Sequence, residues 1–304
     1  MNENNWTRRN VLLATGAAGL VPVSLLADDH RMLTRPIPSS GELLPVIGLG
    51  TYSVFDAPAT PEDIALRKEI VDLLLTKGGS VIDTSPMYNQ SERMIGDVVR
   101  AGSPRASMFL ATKVWIDGAD AGKRQMDESA RLMNTDVVDL MQVHNLRDTD
   151  LHMRTIRQRQ EDGSIRYSGL THYRASAHAQ LEAEMKQYKP DFIQINYSLG
   201  EREAENGVLP LAQEMGIAVL INRPYQSGAL FRAVSGRDLP GWAAEFAASW
   251  GQFFLKFIIS HPAVTNVIPA TSKPHHMRDN LEAGFGMMPD AAMRDRMIDF
   301  MASL

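Results

Sequence analysis

Residues 60–88 read TPEDIALRKEIVDLLLTKGGSVIDTSPMY, and this stretch indicates the repeating unit of the fold because it joins one helix to one buried strand. The threonine–proline pair at 60–61 predicts a helix start, since threonine caps free N–H groups and proline fits the first helical position. The two glycines at 78–79 predict the end of that helix. Residues 80–83 are rich in valine and isoleucine without alternation, as expected of a strand that is buried on both faces.

The same alternation of strand and helix continues along the chain. Eight short apolar runs have the pattern of buried parallel strands: residues 46–49, 80–83, 108–112, 137–143, 165–170, 192–196, 217–222 and 265–270. Segments of helical length lie between them, among them residues 61–77, 91–100, 119–134 and 176–188. Eight strand–helix units over about 230 residues predict an α/β fold of the (β/α)8 TIM-barrel type, which typically needs about 250 residues.

An open, doubly wound α/β sheet is the competing architecture. Its dinucleotide-binding fingerprint needs three glycines between the first strand and the following helix. Here the first strand runs into GLGTY at 48–52, which lacks the third glycine, so the barrel is favoured. Residues 31–45 contain Pro36, Pro38 and the turn-like sequence SSG at 39–41, and they predict a small hairpin that covers the bottom of the barrel.

The composition excludes several classes of function. The chain has 304 residues, of which 44% are hydrophobic, and a formal net charge of −5 with acids and bases mixed along its length. The sequence has no basic stripe of the kind that would indicate nucleic acid binding. The absence of cysteine excludes disulfides, thiolate catalysis and cysteine-ligated zinc. Neither a proline- or glycine-rich linker nor an internal repeat divides residues 28–304, so we expect a single barrel domain there.

Residues 1–27 have the pattern of an export signal rather than of the fold. The paired Arg8 and Arg9 precede an uncharged stretch at 11–26, which is shorter than the about 20 apolar residues of a membrane span. Paired arginines in this place resemble a twin-arginine signal. We therefore expect recognition by the twin-arginine export machinery, transient membrane contact, cleavage near Ala27 and a periplasmic or otherwise exported protein. A short uncleaved anchor or a chance arginine pair is the alternative.

Titratable side chains stand at the carboxyl ends of three successive predicted strands. Asp83 ends the second strand, and Tyr88 lies in the loop that follows. Lys113 ends the third strand and His144 the fourth. Active sites of TIM barrels lie at this end of the strands, so we expect the four side chains to face one mouth. Taken singly, an aspartate at a strand end is more often a helix cap, a tyrosine a core or rim residue, a lysine a surface charge and a histidine a structural residue. The coincidence of all four at one end of successive strands favours an active site.

These four side chains favour the reduction of a carbonyl group. A free phenol has a pKa of about 10 and is too weak an acid to protonate a carbonyl at neutral pH. We expect the Lys113 ammonium to lower the pKa of Tyr88, and Asp83 to keep Lys113 charged and oriented. His144 would donate a hydrogen bond to the carbonyl oxygen while Tyr88 acts as the general acid. Because none of the four can supply hydride, a nicotinamide cofactor is required.

Several local phrases resemble the aldo-keto reductase family over about residues 44–283, which is most of the chain. They are GLGT at 48–51, VIDTSPMY at 81–88 with SE at 91–92, ATK at 111–113 and VHN at 143–145. The four titratable residues named above fall where that family has its catalytic four, in the same order. The resemblance implies a TIM-like barrel and the NADPH-dependent reduction of aldehydes or ketones.

The resemblance also implies cofactor contacts after the first, fifth, sixth, seventh and eighth strands. The residues there are Gly50, Thr51, Tyr52, Thr171, His172, Gln194, Asn222, Arg223, Tyr225, Ser272, Lys273, Arg278 and Asn280. Gln194 matches a ligand of the carboxamide, Asn280 matches a contact of the adenine, and Arg223 is placed to touch the pyrophosphate. The segment 225–241 is expected to strap over the phosphates, and barrels commonly bind phosphate at the helix start near 272–274.

Two positions near the predicted nicotinamide site depart from the family pattern. Thr171-His172 replaces a serine–asparagine pair, although His172 could still donate a hydrogen bond to a carboxamide. Asn222 stands where an aromatic ring usually stacks on the nicotinamide, and an amide cannot stack like a ring.

The adenosine end departs from the pattern as well. Ala270 and His276 stand where NADP-selective members often have lysine and arginine. Lys273 and Arg278 remain nearby as candidate partners of a 2′-phosphate, and their alternative is an ordinary role as surface charges. On balance we expect NADP rather than NAD.

Other functions fit parts of the pattern. A redox-sensing or regulatory barrel would bind the cofactor without turnover, but it need not keep Tyr88. A metal-dependent hydrolase would use His144, His172 and Asp83, but the H-x-H pair expected at a strand end is missing and we expect no metal. A Schiff-base aldolase would use Lys113. We therefore favour an NAD(P)H-dependent oxidoreductase that reduces an aldehyde, ketone or sugar carbonyl.

Overall fold

The computed structural model describes residues 31–304, so the predicted leader at 1–27 lies outside the described residues. Strands β1 (Thr34–Pro36) and β2 (Leu43–Pro45) form an antiparallel hairpin. The other strands in the described part are β3 (Leu49–Gly50), β4 (Val81–Asp83), β5 (Phe109–Val114), β6 (Val138–His144), β7 (Ile165–Thr171), β8 (Phe192–Asn196), β9 (Ala218–Asn222) and β10 (Asn266–Val267).

Helices separate the strands. They are α1 (Pro61–Thr76), α2 (Ser91–Arg100), α3 (Ala119–Leu132), α4 (Thr149–Glu161), α5 (His178–Tyr188), α6 (Val208–Met215), α7 (Ala229–Ala233), α8 (Trp250–Ile259), α9 (Pro274–Glu282) and α10 (Ala291–Ala302). The short α7 lies inside the segment 225–241, which is therefore partly helical. Across residues 31–304, no helix combines the length and the apolar character needed to span a bilayer.

Strands β3 to β10 form one parallel sheet in sequence order. Parallel bridges from Ile47 to Val267 and from Gly50 to Ala270 join its two edges, so the sheet curls into a nearly closed barrel. Glycine is needed at position 50 of this seam, because a Cβ there would lie 2.7 Å from the carbonyl oxygen of Ile268. The predicted (β/α)8 barrel is confirmed.

Side chains on the inner face of the barrel change from apolar to polar along each strand, because alternate residues of a strand share one face. In β4 the inner face carries Val81 and then Asp83, and in β6 it carries Leu140, Gln142 and His144. Val81 and Leu140 belong to an apolar cluster that fills the lower barrel. Polar groups are therefore left at the carboxyl ends, where they form the mouth of the barrel.

The N-terminal hairpin closes the bottom of the barrel, as the sequence predicts. Ile37 and Leu44 pack into the apolar cluster of the lower barrel. The hydroxyl of Tyr167, on β7, lies 2.6 Å from Oε2 of Glu42 and 2.8 Å from Oγ of Ser40, which fixes the hairpin to the barrel. The mouth at the opposite end is consequently the side from which a ligand can approach.

The observed boundaries follow the predicted ones closely in the middle of the chain. Helix α1 begins at Pro61, and the hydroxyl of Thr60 accepts a hydrogen bond from the N–H of Asp63, as expected of a cap. At the seam the paired strands β3 and β10 are shorter than the apolar runs at 46–49 and 265–270. The reason is that these two runs meet through isolated bridges rather than a continuous ladder.

Candidate active site

Asp83 and Lys113 form a buried ion pair in the mouth of the barrel. Nζ of Lys113 donates to Oδ2 of Asp83 at 2.7 Å and to the carbonyl oxygen of Thr84 at 2.7 Å. The side chain of Lys113 has no exposed surface. Burial alone would lower the pKa of Lys113, but it is raised above its ordinary value, and the negative charge of Asp83 is the largest of the effects that raise it. Lys113 is therefore a fixed ammonium.

Two glutamines hold the other oxygen of Asp83. Its Oδ1 accepts from Nε2 of Gln194 at 2.7 Å and from Nε2 of Gln142 at 3.2 Å. Gln142 has room because Gly169 faces it across the ladder, where a Cβ would lie 2.8 Å from Cγ of Gln142. Gln142 was not among the predicted site residues, although its spacing of two residues from His144 places both on one face of β6. The carboxylate is thus held at both oxygens.

Tyr88 lies next to the ion pair, in the loop after β4. The ammonium of Lys113 is 4.8 Å from the centre of the Tyr88 ring, and the ring of Tyr52 packs edge-on against it at 5.1 Å. Lys113 does lower the pKa of Tyr88, as predicted, but the net pKa is nevertheless above its ordinary value. Burial of the phenol raises its pKa, and the nearby ammonium offsets this only in part. Tyr88 therefore keeps its proton at neutral pH.

His144 lies beside Tyr88 as a neutral imidazole. The two rings are edge-on, with centroids 6.1 Å apart. Burial, together with the positive charge of Lys113, lowers the pKa of His144 to about 2. Its Nδ1 lies 3.1 Å from Oγ of Ser85. Because a neutral imidazole carries one N–H, what His144 offers to a ligand depends on which nitrogen has the proton.

Aromatic side chains form part of the rim of the mouth. Trp115 follows directly on β5, and its ring centre is 6.3 Å from that of His144. The guanidinium of Arg147 lies 5.1 Å from the Trp115 ring centre and pairs with Asp117. Tyr52 is 63% exposed beside this group of rings. The rim therefore offers flat apolar surface close to the hydrogen-bonding groups of the mouth.

The loop at 50–52, which was predicted to lie near the cofactor, is tied to the site. Both the N–H and the hydroxyl of Thr51 donate to the carbonyl oxygen of Asp83, each at 3.0 Å. Thr51 is buried, so the hydrogen bonds hold the end of β4 against the seam of the barrel. Of this loop, Tyr52 is the residue that reaches the ring of Tyr88.

Residues predicted near the nicotinamide come together at the ends of β7, β8 and β9. Oε1 of Gln194 accepts from Oγ1 of Thr171 at 3.2 Å and from Nδ2 of Asn222 at 3.4 Å. Oδ1 of Asn222 is buried without a hydrogen-bond partner in the described part of the chain. Nδ1 of His172 accepts the backbone N–H of Arg174 at 3.1 Å, and burial lowers its pKa. The neutral ring of His172 therefore carries its proton on Nε2.

The segment after β9 reaches across to α9. Arg223 adopts a left-handed conformation with φ of 51°, and its guanidinium lies 5.9 Å from the ring centre of Tyr173. The hydroxyl of Tyr225 donates to Oδ1 of Asn280 at 2.6 Å. This hydrogen bond ties the start of the segment 225–241 to α9, and it engages the amide oxygen of the asparagine that was predicted to contact adenine.

The predicted phosphate end lies at the start of α9, where free N–H groups favour an anion. Lys273 is the cap residue and is exposed, and Ser272 before it is partly buried. Arg278 is exposed as well, and it pairs with Glu69 of α1 at 3.0 Å. A 2′-phosphate at this place would share Arg278 with Glu69, whereas Lys273 is an exposed cation at the start of the helix.

These features agree with a family match over most of the chain. Residues 46–294 match the sequence model of the Aldo/keto reductase family. The chain belongs to the aldo/keto reductase family. It is an NAD(P)-dependent oxidoreductase, as the curated relatives also indicate, and the family resemblance seen in the sequence is confirmed.

Individual relatives are distant but cover most of the chain. The uncharacterized oxidoreductase YqkF of Bacillus subtilis (strain 168) is 26% identical over 290 residues, which span 83% of this chain and 91% of that protein. The NADH-specific methylglyoxal reductase of Escherichia coli (strain K12) is 27% identical over 243 residues, spanning 68% and 72%. The crystal structure of an aldo-keto reductase from Klebsiella pneumoniae in complex with NADPH shares the fold, with a TM-score of 0.72 at 23% identity over 88% of this chain and 95% of that chain.

The mouth of the barrel fits the nicotinamide group that aldo/keto reductases use. A carboxamide needs an acceptor for its N–H groups and a donor for its oxygen. The buried Oδ1 of Asn222 is such an acceptor, since no side chain or backbone group within residues 31–304 satisfies it. The Nε2–H of His172 is such a donor, because the Nδ1 of the same ring is already engaged.

Proposed function

We propose that this aldo/keto reductase reduces an aldehyde, ketone or sugar carbonyl to the alcohol, with Tyr88 as the proton donor. The observation that carries the proposal is the ammonium of Lys113, which is buried, paired with Asp83 and 4.8 Å from the centre of the Tyr88 ring. The nicotinamide cofactor supplies the hydride when it is bound. The four side chains predicted from the sequence then divide the remaining work.

Tyr88 holds its proton until negative charge develops on the carbonyl oxygen. Its raised pKa makes the free phenol a weak acid, so the phenolate needs help as it forms. The ammonium of Lys113 provides that help from a fixed position, and it needs no reorganisation because Asp83 and Thr84 already hold it. Asp83 is thus a positioning residue for Lys113.

His144 orients the carbonyl group rather than protonating it. A pKa of about 2 leaves the imidazole neutral at any pH at which the protein works, so it has no acidic proton to compete with that of Tyr88. This supports the phenol of Tyr88 as the proton donor. His144 retains one N–H, which suits a hydrogen bond to the carbonyl oxygen.

For the cofactor we propose NADP. The residues that would hold it are His172 and Asn222 at the carboxamide, Arg223 at the pyrophosphate and Lys273 at a 2′-phosphate. Lys273 supports the choice of NADP, since it is an exposed cation at the N-terminal end of a helix, where an anion is favoured. Fluorescence titration with NADPH and NADH side by side tests this, and tighter binding of NADH would overturn the preference.

Steady-state turnover tests the function itself. The purified protein is supplied with NADPH or NADH and with a panel of aldehydes, ketones, sugars and methylglyoxal, the last because one relative is a methylglyoxal reductase. We expect oxidation of the cofactor that depends on the carbonyl compound. Tight cofactor binding without turnover of any compound would instead support a redox-sensing or regulatory barrel.

We further propose that the protein is exported through the twin-arginine machinery. The support is the paired Arg8 and Arg9 before an uncharged stretch that ends near Ala27. We expect the exported form to begin near Asp28 and the Arg8→Lys/Arg9→Lys variant to stay in the cytoplasm. Mass spectrometry of the N-terminus in the fractionated host tests this, and a protein outside the cytoplasm that retains Met1 would contradict the cleavage.

A further inference from the structure

We infer that Ser85 fixes the tautomer of His144, with the proton on Nε2, and thereby makes His144 a hydrogen-bond donor in the mouth of the barrel. Ser85 is a positioning residue in this account, since it acts through the imidazole. The tautomer itself does not depend on the proposed function; only its use toward a carbonyl oxygen rests on that function.

The contacts of the Ser85 hydroxyl carry the inference. Ser85 is fully buried, and its Oγ lies 3.1 Å from Nδ1 of His144. The backbone N–H of Met87 approaches the same Oγ at 3.4 Å. The serine oxygen therefore already accepts one hydrogen bond from a group that can only donate.

The proton of the hydroxyl has one suitable place to go. Within residues 31–304 the side chain of Ser85 has two hydrogen-bond contacts, His144 and Met87. If Nδ1 of His144 carried the proton, Oγ would accept from both neighbours and its own proton would have no acceptor. A buried donor without an acceptor is unfavourable. The arrangement that satisfies every group has Ser85 donating to Nδ1, which leaves the imidazole proton on Nε2.

The choice of tautomer matters because His144 cannot become a donor by taking up a second proton. Burial and the charge of Lys113 lower the pKa of His144 to about 2, so a doubly protonated ring with a donor at each nitrogen is not available. With the proton on Nε2, this nitrogen can donate a hydrogen bond to the carbonyl oxygen. With the proton on Nδ1, Nε2 would instead present a lone pair to the carbonyl oxygen and repel it. One buried hydroxyl thus decides whether His144 attracts or repels the substrate.

The position of Ser85 links this control to the proton donor. Ser85 and Tyr88 belong to one turn, in which the N–H of Tyr88 donates to the carbonyl oxygen of Ser85 at 2.9 Å. The same short segment after β4 therefore carries the phenol and sets the imidazole beside it, with the two rings 6.1 Å apart. We read this turn as a unit that orients both hydrogen-bond donors together.

Nitrogen NMR of histidine-labelled protein tests the inference. The His144→Gln variant identifies the signals of His144, and His172 serves as an internal reference because a backbone N–H fixes its Nδ1 as an acceptor. In the wild-type protein we expect a pyridine-type signal for Nδ1 of His144 and a pyrrole-type signal for Nε2. In Ser85→Ala we expect both signals to move toward the average of the two tautomers, with those of His172 unchanged.

A matched control and a rescue separate this role from a general effect on packing. Ser103→Ala removes another buried serine hydroxyl, which bonds to Asp72 at 2.6 Å, and should leave the His144 signals as they are. Ser85→Thr keeps the hydroxyl and should restore the wild-type signals. A protonated Nδ1 in the wild-type protein, or an unchanged tautomer in folded Ser85→Ala, would overturn the inference.

Kinetics test the use of the tautomer separately. If His144 donates to the carbonyl oxygen, kcat/KM of Ser85→Ala falls about tenfold, the scale of one lost hydrogen bond, and Ser85→Thr recovers most of it. The Kd for NADPH should not change. A shifted tautomer with unchanged kcat/KM would refute the role of His144 toward the substrate while leaving the tautomer assignment intact.

Discussion

Nζ of Lys113 lies 2.7 Å from Oδ2 of Asp83, and both side chains are closed to solvent. Such a pair is expensive to break, because removing one partner leaves the other charge buried without compensation. It also links stability to activity, since the same ammonium stabilises a phenolate at Tyr88. The glutamines on the other oxygen of Asp83 hold this arrangement in one geometry.

We predict that Asp83→Asn lowers the free energy of unfolding by about 3–5 kcal/mol, the usual cost of leaving a buried charge unpaired. Lys113→Met should cost a similar amount, and the double variant should cost less than the sum of the two. Urea denaturation measures all three. Arg278→Gln is the matched control, because its exposed pair with Glu69 should contribute less than about 1 kcal/mol. Additive losses in the double variant would contradict the coupling.

The pH profile of carbonyl reduction should be flat through neutral pH and fall only on the alkaline side. The pKa of Tyr88 is raised from its ordinary 10.0, so the acid form needed for reduction predominates through neutral pH and is lost as the pH rises through the pKa. His144 adds no break near its ordinary pKa of 6.5, because its pKa is about 2. The measurement is kcat/KM against pH, and a break between pH 6 and 7 that disappears in His144→Gln would contradict the neutral imidazole.

Gly169→Ala should disturb the hydrogen bond between Gln142 and Asp83 beneath the mouth of the barrel. The added Cβ would meet Cγ of Gln142 at 2.8 Å and push away one of the two donors to Asp83. We expect a loss of about 1–3 kcal/mol in the free energy of unfolding, as overpacking typically costs, together with a lower kcat. Gly241→Ala is the control, since its Cβ would meet nothing within 4 Å. Equal stability of the two variants would mean that Gly169 is not needed as space for Gln142.

Cofactor preference gives a fourth prediction, at the start of α9. Lys273→Gln should weaken binding of NADPH by about tenfold and leave that of NADH unchanged, because only NADPH has the 2′-phosphate that this cation would meet. Lys186→Gln removes an exposed lysine from α5 and should change neither Kd. Fluorescence titrations measure both cofactors. An equal loss for NADPH and NADH would place Lys273 elsewhere on the cofactor, and no loss for either would place it outside the site.

The barrel and the four titratable residues could be predicted because each depends on local pattern. The apolar run at 80–83 and the helix before it specify one unit, and Asp83 then falls at the carboxyl end by simple position. The alternation of side chains along a strand also places Gln142 on the same face as His144. A single glutamine within an apolar strand does not by itself indicate a site residue, because its contact with Asp83 is visible only in the structure.

Other features depend on contacts between distant parts of the chain. The net pKa of Tyr88 is a balance between burial and the charge of Lys113, and the sequence shows the charge but not the burial. The hydrogen bond between Tyr225 and Asn280 joins residues from two different loops. The isolated bridges at the barrel seam likewise shorten β3 and β10 in a way that apolar runs do not reveal.

The Tyr88→Phe variant tests whether the hydroxyl of Tyr88 donates the proton to the substrate. This variant removes the hydroxyl while keeping the ring that packs against Tyr52 and Lys113. We predict that kcat for carbonyl reduction falls by at least about 10²-fold, the scale of a positioned general acid, while the Kd for NADPH stays within error of the wild-type value. Reduction at the wild-type rate by a folded, cofactor-binding Tyr88→Phe protein would contradict the account.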